Sequence, residues 1–301
     1  MVKSVLVPLD GSTMAEQVLP YAETLVKQSQ GQLFLLTAIP DIATSGEYIG
    51  QRDIAKEMEE AEAYLDGKAK PLAAAGIKIA AEARVGIDVS TVILDLCQEH
   101  NIELVAMTTH GRSGITRWIY GSVADRVLHH THLPLLLVRS SEEQPPSGSV
   151  KNILIPLDGS PLAASVLPFV SEIAKGFDAQ IYFFHAVPPV GAYPGIATEQ
   201  IAVAQVLDDL QQQAKEYIAS MVKDAQANGI KATGAVTIGF AVDEILNAAY
   251  SANCDLIALG THGRAGIGRW VMGSVADAVL RRSHLPCLIV RPEEKELESS
   301  K

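Results

Sequence analysis

The chain says nearly the same thing twice, and that self-similarity constrains its fold more than any other feature. VLVPLDGS ending at Ser12 returns as ILIPLDGS ending at Ser160, and the VLP of Val18 to Pro20 returns at Val166 to Pro168, an offset of 148 positions. AGIKIAAEARVG ending at Gly86 matches NGIKATGAVTIG ending at Gly239, and THGRSGITRWIYGSVADRVLHHTHLPLLLVR from Thr109 matches THGRAGIGRWVMGSVADAVLRRSHLPCLIVR from Thr261, at offsets of 153 and then 152. The halves therefore differ by short insertions. A repeat of this period predicts two copies of one domain, each long enough to bury its own core. The Ser/Pro/Glu-rich SSEEQPPSGSV between apolar blocks reads as a linker. The expected division is a first domain over residues 1–140, a linker over 141–150, a second domain over 151–292 and a tail over 293–301.

Composition narrows the function classes. With 48% hydrophobic and 20% charged residues, the chain has too much apolar content for disorder. No apolar stretch reaches the roughly 18 residues of a membrane span, and MVKSVLVPLD meets Pro8 and Asp10 too early for a secretory h-region, so a cytoplasmic location is expected. Cys97, Cys254 and Cys287 are odd in number and sit in apolar runs, which suits small buried hydrophobes better than disulfides or a zinc site. A formal charge of −11 excludes a broad nucleic-acid surface. Any phosphate partner should be small and locally bound.

Within the first half, short apolar runs at 4–9, 32–39, 77–85, 103–108 and 133–139 alternate with helix-period segments at 15–30, 53–75, 89–100 and 122–130. Strands separated by helices predict a parallel sheet covered on both faces, so each half is expected to be a doubly wound α/β domain. Ligands of such sheets bind beyond the carboxyl ends of the strands, where strand order reverses.

Three groups of residues fall there. Asp10 and Asp158 follow the first strand of each half, where an aspartate serves either turn and cap chemistry or a ligand. After the fourth strand of the second half, Gly260 is followed after two residues by Gly263, and Gly263 after nine by Gly273 and Ser274, which open the helix SVADAVL. Glycines let backbone amides approach a ligand, and a helix N-terminus offers free N–H groups, which together suit phosphate. The alternative is that Ser274 and Ser122, each with Asp three positions on, simply cap their helices. Arg264 and Arg269, matched by Arg112 and Arg117, bring guanidinium groups into the same two loops of an acidic chain. GxxxxGK[ST] is absent and no GxGxxG follows the first strand, so neither a P-loop nor an ordinary dinucleotide site is indicated.

The pattern G-x2-G-x9-G-[ST] after strand four, the Asp ending strand one and the closing apolar strand preceded by LP resemble the universal stress protein family, here as a tandem two-domain member. The resemblance covers both halves. It implies two tandem five-stranded parallel sheets of order 3-2-1-4-5, flanked by helices, and ATP (or ADP or AMP) as ligand, with Mg²⁺ bridging phosphates as an added option. It also implies Gly260, Gly263, Gly273 and Ser274 around ribose and phosphates, beside the Arg264 that its charge already assigns to phosphate, Asp158 beside the nucleotide and Ala186 near adenine. The corresponding set in the first half is Asp10, Ala38, Gly111, Arg112, Gly121 and Ser122. It further implies pairing of the closing strands, as an intramolecular pseudo-dimer or between chains of a homodimer.

The first half departs at one point, since Thr108 stands where the second half has Gly260. A β-branched side chain resists positive φ and adds bulk, so weaker binding of nucleotide is expected there. The cluster His129, His130 and His132 is not shared by the second half and reads as helix-end chemistry. His110 and His262 suit either acid–base chemistry or loop packing. Trp118 and Trp270 are expected to pack against their domains, and the segments 40–52 and 188–199, with Tyr48 and Tyr193, to cover the base. Two functions fit: an adenine-nucleotide-binding stress-response or signalling protein acting on an unknown protein partner, or a slow ATP-hydrolysing or phosphotransfer enzyme. The lack of an evident paired-carboxylate metal site favours the first.

Overall fold

A computed structural model describes residues 1–41, 53–109, 121–141, 147–189, 200–261 and 272–291. The chain divides into two units, Met1–Ser149 and Val150–Lys301. In the first, β1 (Ser4–Pro8), β2 (Gln32–Pro40), β3 (Lys78–Gly86), β4 (Leu104–Thr108) and β5 (Leu135–Val138) alternate with α1 (Thr13–Glu16), α2 (Leu19–Ser29), α3 (Ile54–Ala74), α4 (Val89–Glu99) and α5 (Ser122–His130). The second repeats the order with β6 (Asn152–Pro156), β7 (Gln180–Val187), β8 (Ala232–Ile238), β9 (Leu256–Gly260) and β10 (Cys287–Val290). Its helices are α6 (Pro161–Ala164), α7 (Leu167–Phe177), α8 (Gln200–Ala227), α9 (Ala241–Ser251) and α10 (Ser274–Arg282).

Strand order within the first unit is β3-β2-β1-β4-β5, and within the second β8-β7-β6-β9-β10, as the repeat and its resemblance imply. The pairings within each unit are parallel. Burial follows the order. The central strands are sealed on both faces: Val5, Leu6 and Val7 are fully buried in β1, as are Ile153, Leu154 and Ile155 in β6. Removing each such side chain from water contributes about 1.5–3 kcal/mol, which is why a continuous apolar run reads as a central parallel strand. At the other end of the order β3 has no fully buried residue, and its sequence accordingly carries Lys78, Glu82 and Arg84.

The order reverses beside the first strand, because β1 pairs with both β2 and β4, and β6 with both β7 and β9. A crevice opens at the carboxyl ends of β6 and β9. One expected helix differs from its prediction: the segment 15–30 is two helices, α1 and α2, with Gln17 and Val18 between them. Pro20 lacks an N–H and lies in the first turn of α2, where no intrahelical donor is needed, so the chain starts a new helix there. The second unit breaks in the same way at Pro168.

Candidate functional site

The turn after β6 builds the first wall. Gly159 takes φ +82 and Gly11 of the first unit φ +83, a left-handed turn that glycine adopts without strain. The tight turn lets the Ser160 N–H donate to Asp158 Oδ1 at 2.9 Å. Ser160 Oγ in turn accepts the Ala163 N–H at 3.1 Å, capping α6 ahead of Pro161. The first unit matches it, with Ser12 donating to Asp10 Oδ1 from its N–H at 3.0 Å and from its hydroxyl at 2.6 Å. Turn chemistry therefore occupies one oxygen of each aspartate. It does not exhaust the role of Asp158, which also lines a cavity.

That cavity, about 230 Å³, lies at the switch point of the second unit. Asp158, Ala186, Gly260, Gly273 and Ser274, all expected at the strand ends, line it. Its floor and sides are otherwise apolar, from Leu157, Phe184 and Leu259 of the strands and Ala241 and Ile245 of α9. Ala163, Thr261, Val275 and Ala276 join them, and none of these was singled out from the sequence. The i, i+4 spacing of Ala241 and Ile245 at the start of α9 was the available signal, but it is indistinguishable from ordinary core packing.

Gly260 is needed for room rather than for an unusual backbone. It does not take positive φ, contrary to part of the expectation for Thr108. A Cβ built on it would lie 2.7 Å from the carbonyl oxygen of Leu162 and 3.3 Å from Ala163 Cα, so the glycine lets the backbone of α6 press against β9. Thr108 stands at the corresponding end of β4, buried, and carries there a β-branched side chain where the second unit has none.

The glycine-rich segment is pinned at its two stems. The Gly273 N–H donates to the carbonyl of Thr261 at 2.6 Å, and Gly121 to Thr109 at 2.7 Å. Between them, 262–271 and 110–120 lie outside the described residues, and with them Gly263, Arg264, Gly111 and Arg112, together with His262, His110, Arg269, Arg117, Trp270 and Trp118. Tyr48 and Tyr193, in the expected covering segments, lie outside them as well.

One expectation is corrected here. The N-caps of α10 and α5 are Gly273 and Gly121, with no side-chain cap, and Ser274 and Ser122 are the first helical residues instead. Glycine has no side chain to accept the first N–H groups of the helix. The amides of Ser274, Val275 and Ala276 thus have no intrahelical acceptor, sit at the positive end of the helix dipole, and belong to residues lining the cavity. The arrangement suits an anion at the helix end and an apolar planar group deeper in. In the first unit Asp10, Ala38, Gly121 and Ser122 hold the equivalent places in turn, strand and helix.

Other candidates resolve into structural roles. His129 Nδ1 and His130 Nδ1 bond to the carbonyls of Asp125 and Arg126 at 2.7 and 2.8 Å, one turn back in α5. All three cysteines are free and buried, and burial pushes the thiols of Cys97 and Cys287 up to about 12 and that of Cys254 to about 11. Among the described residues no group of three or more His, Cys, Asp or Glu is placed to hold a metal ion, and no helix is long and apolar enough to cross a membrane.

The model of the Universal stress protein family matches the chain twice, over residues 1–139 and 149–291. Universal stress protein MJ0531 of Methanocaldococcus jannaschii is 32% identical over 146 residues, covering 48% of this chain and 85% of that protein. Universal stress protein Rv2005c of Mycobacterium tuberculosis is 23% identical over 243 residues, 76% of this chain and 78% of that one. Among solved structures, a universal stress protein from Archaeoglobus fulgidus superposes with a TM-score of 0.70 at 22% identity, over 97% of each chain, a likeness of fold.

Proposed function

This chain belongs to the universal stress protein family, and we propose that it is an adenine-nucleotide-binding protein of the stress-response or signalling kind, with ATP as its ligand and the second unit as the stronger site. The observation that carries the reading is the meeting, at one cavity, of an open helix N-terminus, a carboxylate and an apolar floor. The base enters the apolar part between Ala186 and Ile245, with Asp158 at its edge. At about 230 Å³ the cavity is smaller than the 300–1,000 Å³ usual for drug-sized ligands, so it takes base and ribose while the phosphates lie outward over Gly273 and Ser274. Gly263 and Arg264 complete the phosphate contacts. Mg²⁺ would be held mainly by the phosphates, with Asp158 the carboxylate among the described residues that line the cavity, in keeping with its preference for few protein ligands.

The first unit keeps Asp10, Ala38, Gly121 and Ser122, but carries the bulk of Thr108 where the second unit has Gly260, so it binds nucleotide more weakly or not at all. Occupancy of the second site biases one conformation that a partner protein reads. Mass spectrometry of the nucleotide released by denaturing freshly purified protein, after incubation with ATP, tests the proposal. Recovered ATP supports a binding and signalling role, conversion to ADP supports the slow hydrolase, and no retained nucleotide under saturating ATP refutes both.

A further inference from the structure

The repeat gives every residue lining the second unit's cavity a counterpart in the first, so the two crevices can be compared wall by wall. Pro156 and Phe184 pair across β6 and β7 as Pro8 and Leu36 do across β1 and β2. α9 and α4 are 11 residues each, Ile245 and Ile93 are both buried on them, and just beyond their ends Asn253 and Asn101 both take φ 49, a constant offset of 152. Of the 15 lining residues, all but four recur unchanged in the first unit. The four exceptions are Phe184 against Leu36, Ala241 against Val89, Leu259 against Met107 and Gly260 against Thr108. Whatever distinguishes the two linings resides in these.

Leucine and methionine interchange with little strain, so Met107 alters little. Gly260 makes room on the side of α6, where a Cβ would meet Leu162. Ala241 stands on a different wall. It is the first residue of α9, one turn before Ile245 on the same face, and both line the cavity. Phe184 lines it from β7, the strand on which α9 packs. In the first unit Val89 opens α4 in the same way, one turn before the fully buried Ile93. A valine carries two more carbons than an alanine, and in a helix its χ1 is close to fixed, so they cannot turn aside. Space here is tight. An apolar cavity of about 150 Å³ admits one benzene ring, so about 230 Å³ has room for a bicyclic base and little to spare.

We infer that Ala241 determines whether a base enters the cavity: its small side chain leaves the α9 wall clear for a flat ring seated against Phe184, and Val89 narrows the same wall in the first unit. Phe184 supplies an aromatic surface that Leu36 lacks, and such a surface stacks with a base whatever its hydrogen-bonding pattern. The helix wall therefore selects by shape, while Asp158 and the α10 amides supply the polar contacts. The exchange of Ala241 for Val89 is a second cause of asymmetry, on a wall separate from that of Thr108. The inference rests on the nucleotide reading above.

Calorimetric titration of the full chain with ATP and with adenosine, for wild type, Ala241→Val and the size-conserving Ala241→Ser, tests it, alongside melting of each ligand-free protein. Ala241→Val is expected to weaken both ligands by about five- to 150-fold, the range that overpacking of the bound base would produce, because the contact lies at the nucleoside end they share. It does not lower the ligand-free melting temperature, since the added carbons enter space that is open without ligand. Ala241→Ser keeps affinity close to wild type. A ligand-free Ala241→Val that melts lower than wild type would make Ala241 ordinary core and overturn the inference, as would wild-type binding with unaltered affinity in Ala241→Val; both spare the nucleotide reading. A wild type that binds neither ligand overturns the nucleotide reading itself, and this selection with it.

Discussion

Replacing Gly260 by Ala asks whether the second site depends on the close approach of α6 to β9. The new methyl carbon would stand 2.7 Å from the Leu162 carbonyl oxygen, about 0.6 Å inside the usual carbon–oxygen contact of roughly 3.3 Å. The clash is with backbone, so no rotamer relieves it. Leu162 belongs to a four-residue helix tethered at its start by the Ser160 cap and Pro161, so α6 must move as a body or β9 must bend. Overpacking of this kind costs about 1–3 kcal/mol, and for a unit of this size each kcal/mol lowers the melting temperature by about 2–4 °C. Ala163 and Asp158 flank the displaced segment and line the cavity, so ATP affinity should fall along with stability. Differential scanning calorimetry with and without ATP reads both effects. A Gly260→Ala variant that melts within about 1 °C of wild type and keeps its ATP-induced shift would overturn the steric explanation and, with it, the cause proposed for weaker binding in the first unit.

Three further outcomes follow from local geometry. Ala in place of Gly159, whose φ is +82, should cost about 1–2 kcal/mol in urea unfolding, whereas Ala in place of Gly67, which lies inside α3 with open space around its Cα, should not destabilise. Asp88 caps α4 by accepting from the Ser90 hydroxyl, the Thr91 hydroxyl at 2.7 Å, the Ser90 N–H at 2.8 Å and the Thr91 N–H at 3.1 Å, and these bonds, the Ser90 hydroxyl foremost, hold its carboxyl well below the usual carboxylate range. A depressed folded-state pKa stabilises above the unfolded value near 4 and loses that effect as pH falls below it, so Asp88→Ala should cost about 1 kcal/mol at pH 7 and progressively less in acid; a cost independent of pH would contradict the assignment. The three thiols, all buried and raised, should resist a disulfide reagent in the native protein and react together on unfolding, and rapid native labelling of Cys287 would contradict its burial.

The sheet was legible because it is written in local patterns. Apolar runs such as Val5 to Val7 and Leu104 to Met107 are central strands for the same reason that they are apolar, burial on both faces. The strand-end residues Asp158, Gly260, Gly273 and Ser274 were legible because the repeat shows them twice or nearly so, and the doubly wound order brings them to one crevice. Other features depended on contacts far apart in the chain. That Gly260 leaves room for Leu162, rather than adopting positive φ, is a property of α6 packing on β9 that no local window contains. The helix boundary at Gly273 slipped by one residue because a serine is the better cap by type, while a glycine N-cap leaves the amides open. Ala241 and Ile245 passed for core because a helix presents the same apolar spacing to a ligand as to a sheet. The tie of Tyr64 and Lys68 on α3 to Glu16 on α1 emerged only in three dimensions, since the partners lie on different helices.

On the proposed function, each chain carries one strong nucleotide site, in the second unit. Equilibrium dialysis of the full chain against labelled ATP counts that site, run beside Gly260→Ala and Ser122→Pro, the latter aimed at the equivalent helix start of the first unit. The expected result is about one ATP per chain at concentrations that saturate the tighter site, lost in Gly260→Ala and retained in Ser122→Pro. No bound ATP, two sites of equal affinity, or loss confined to Ser122→Pro would contradict it.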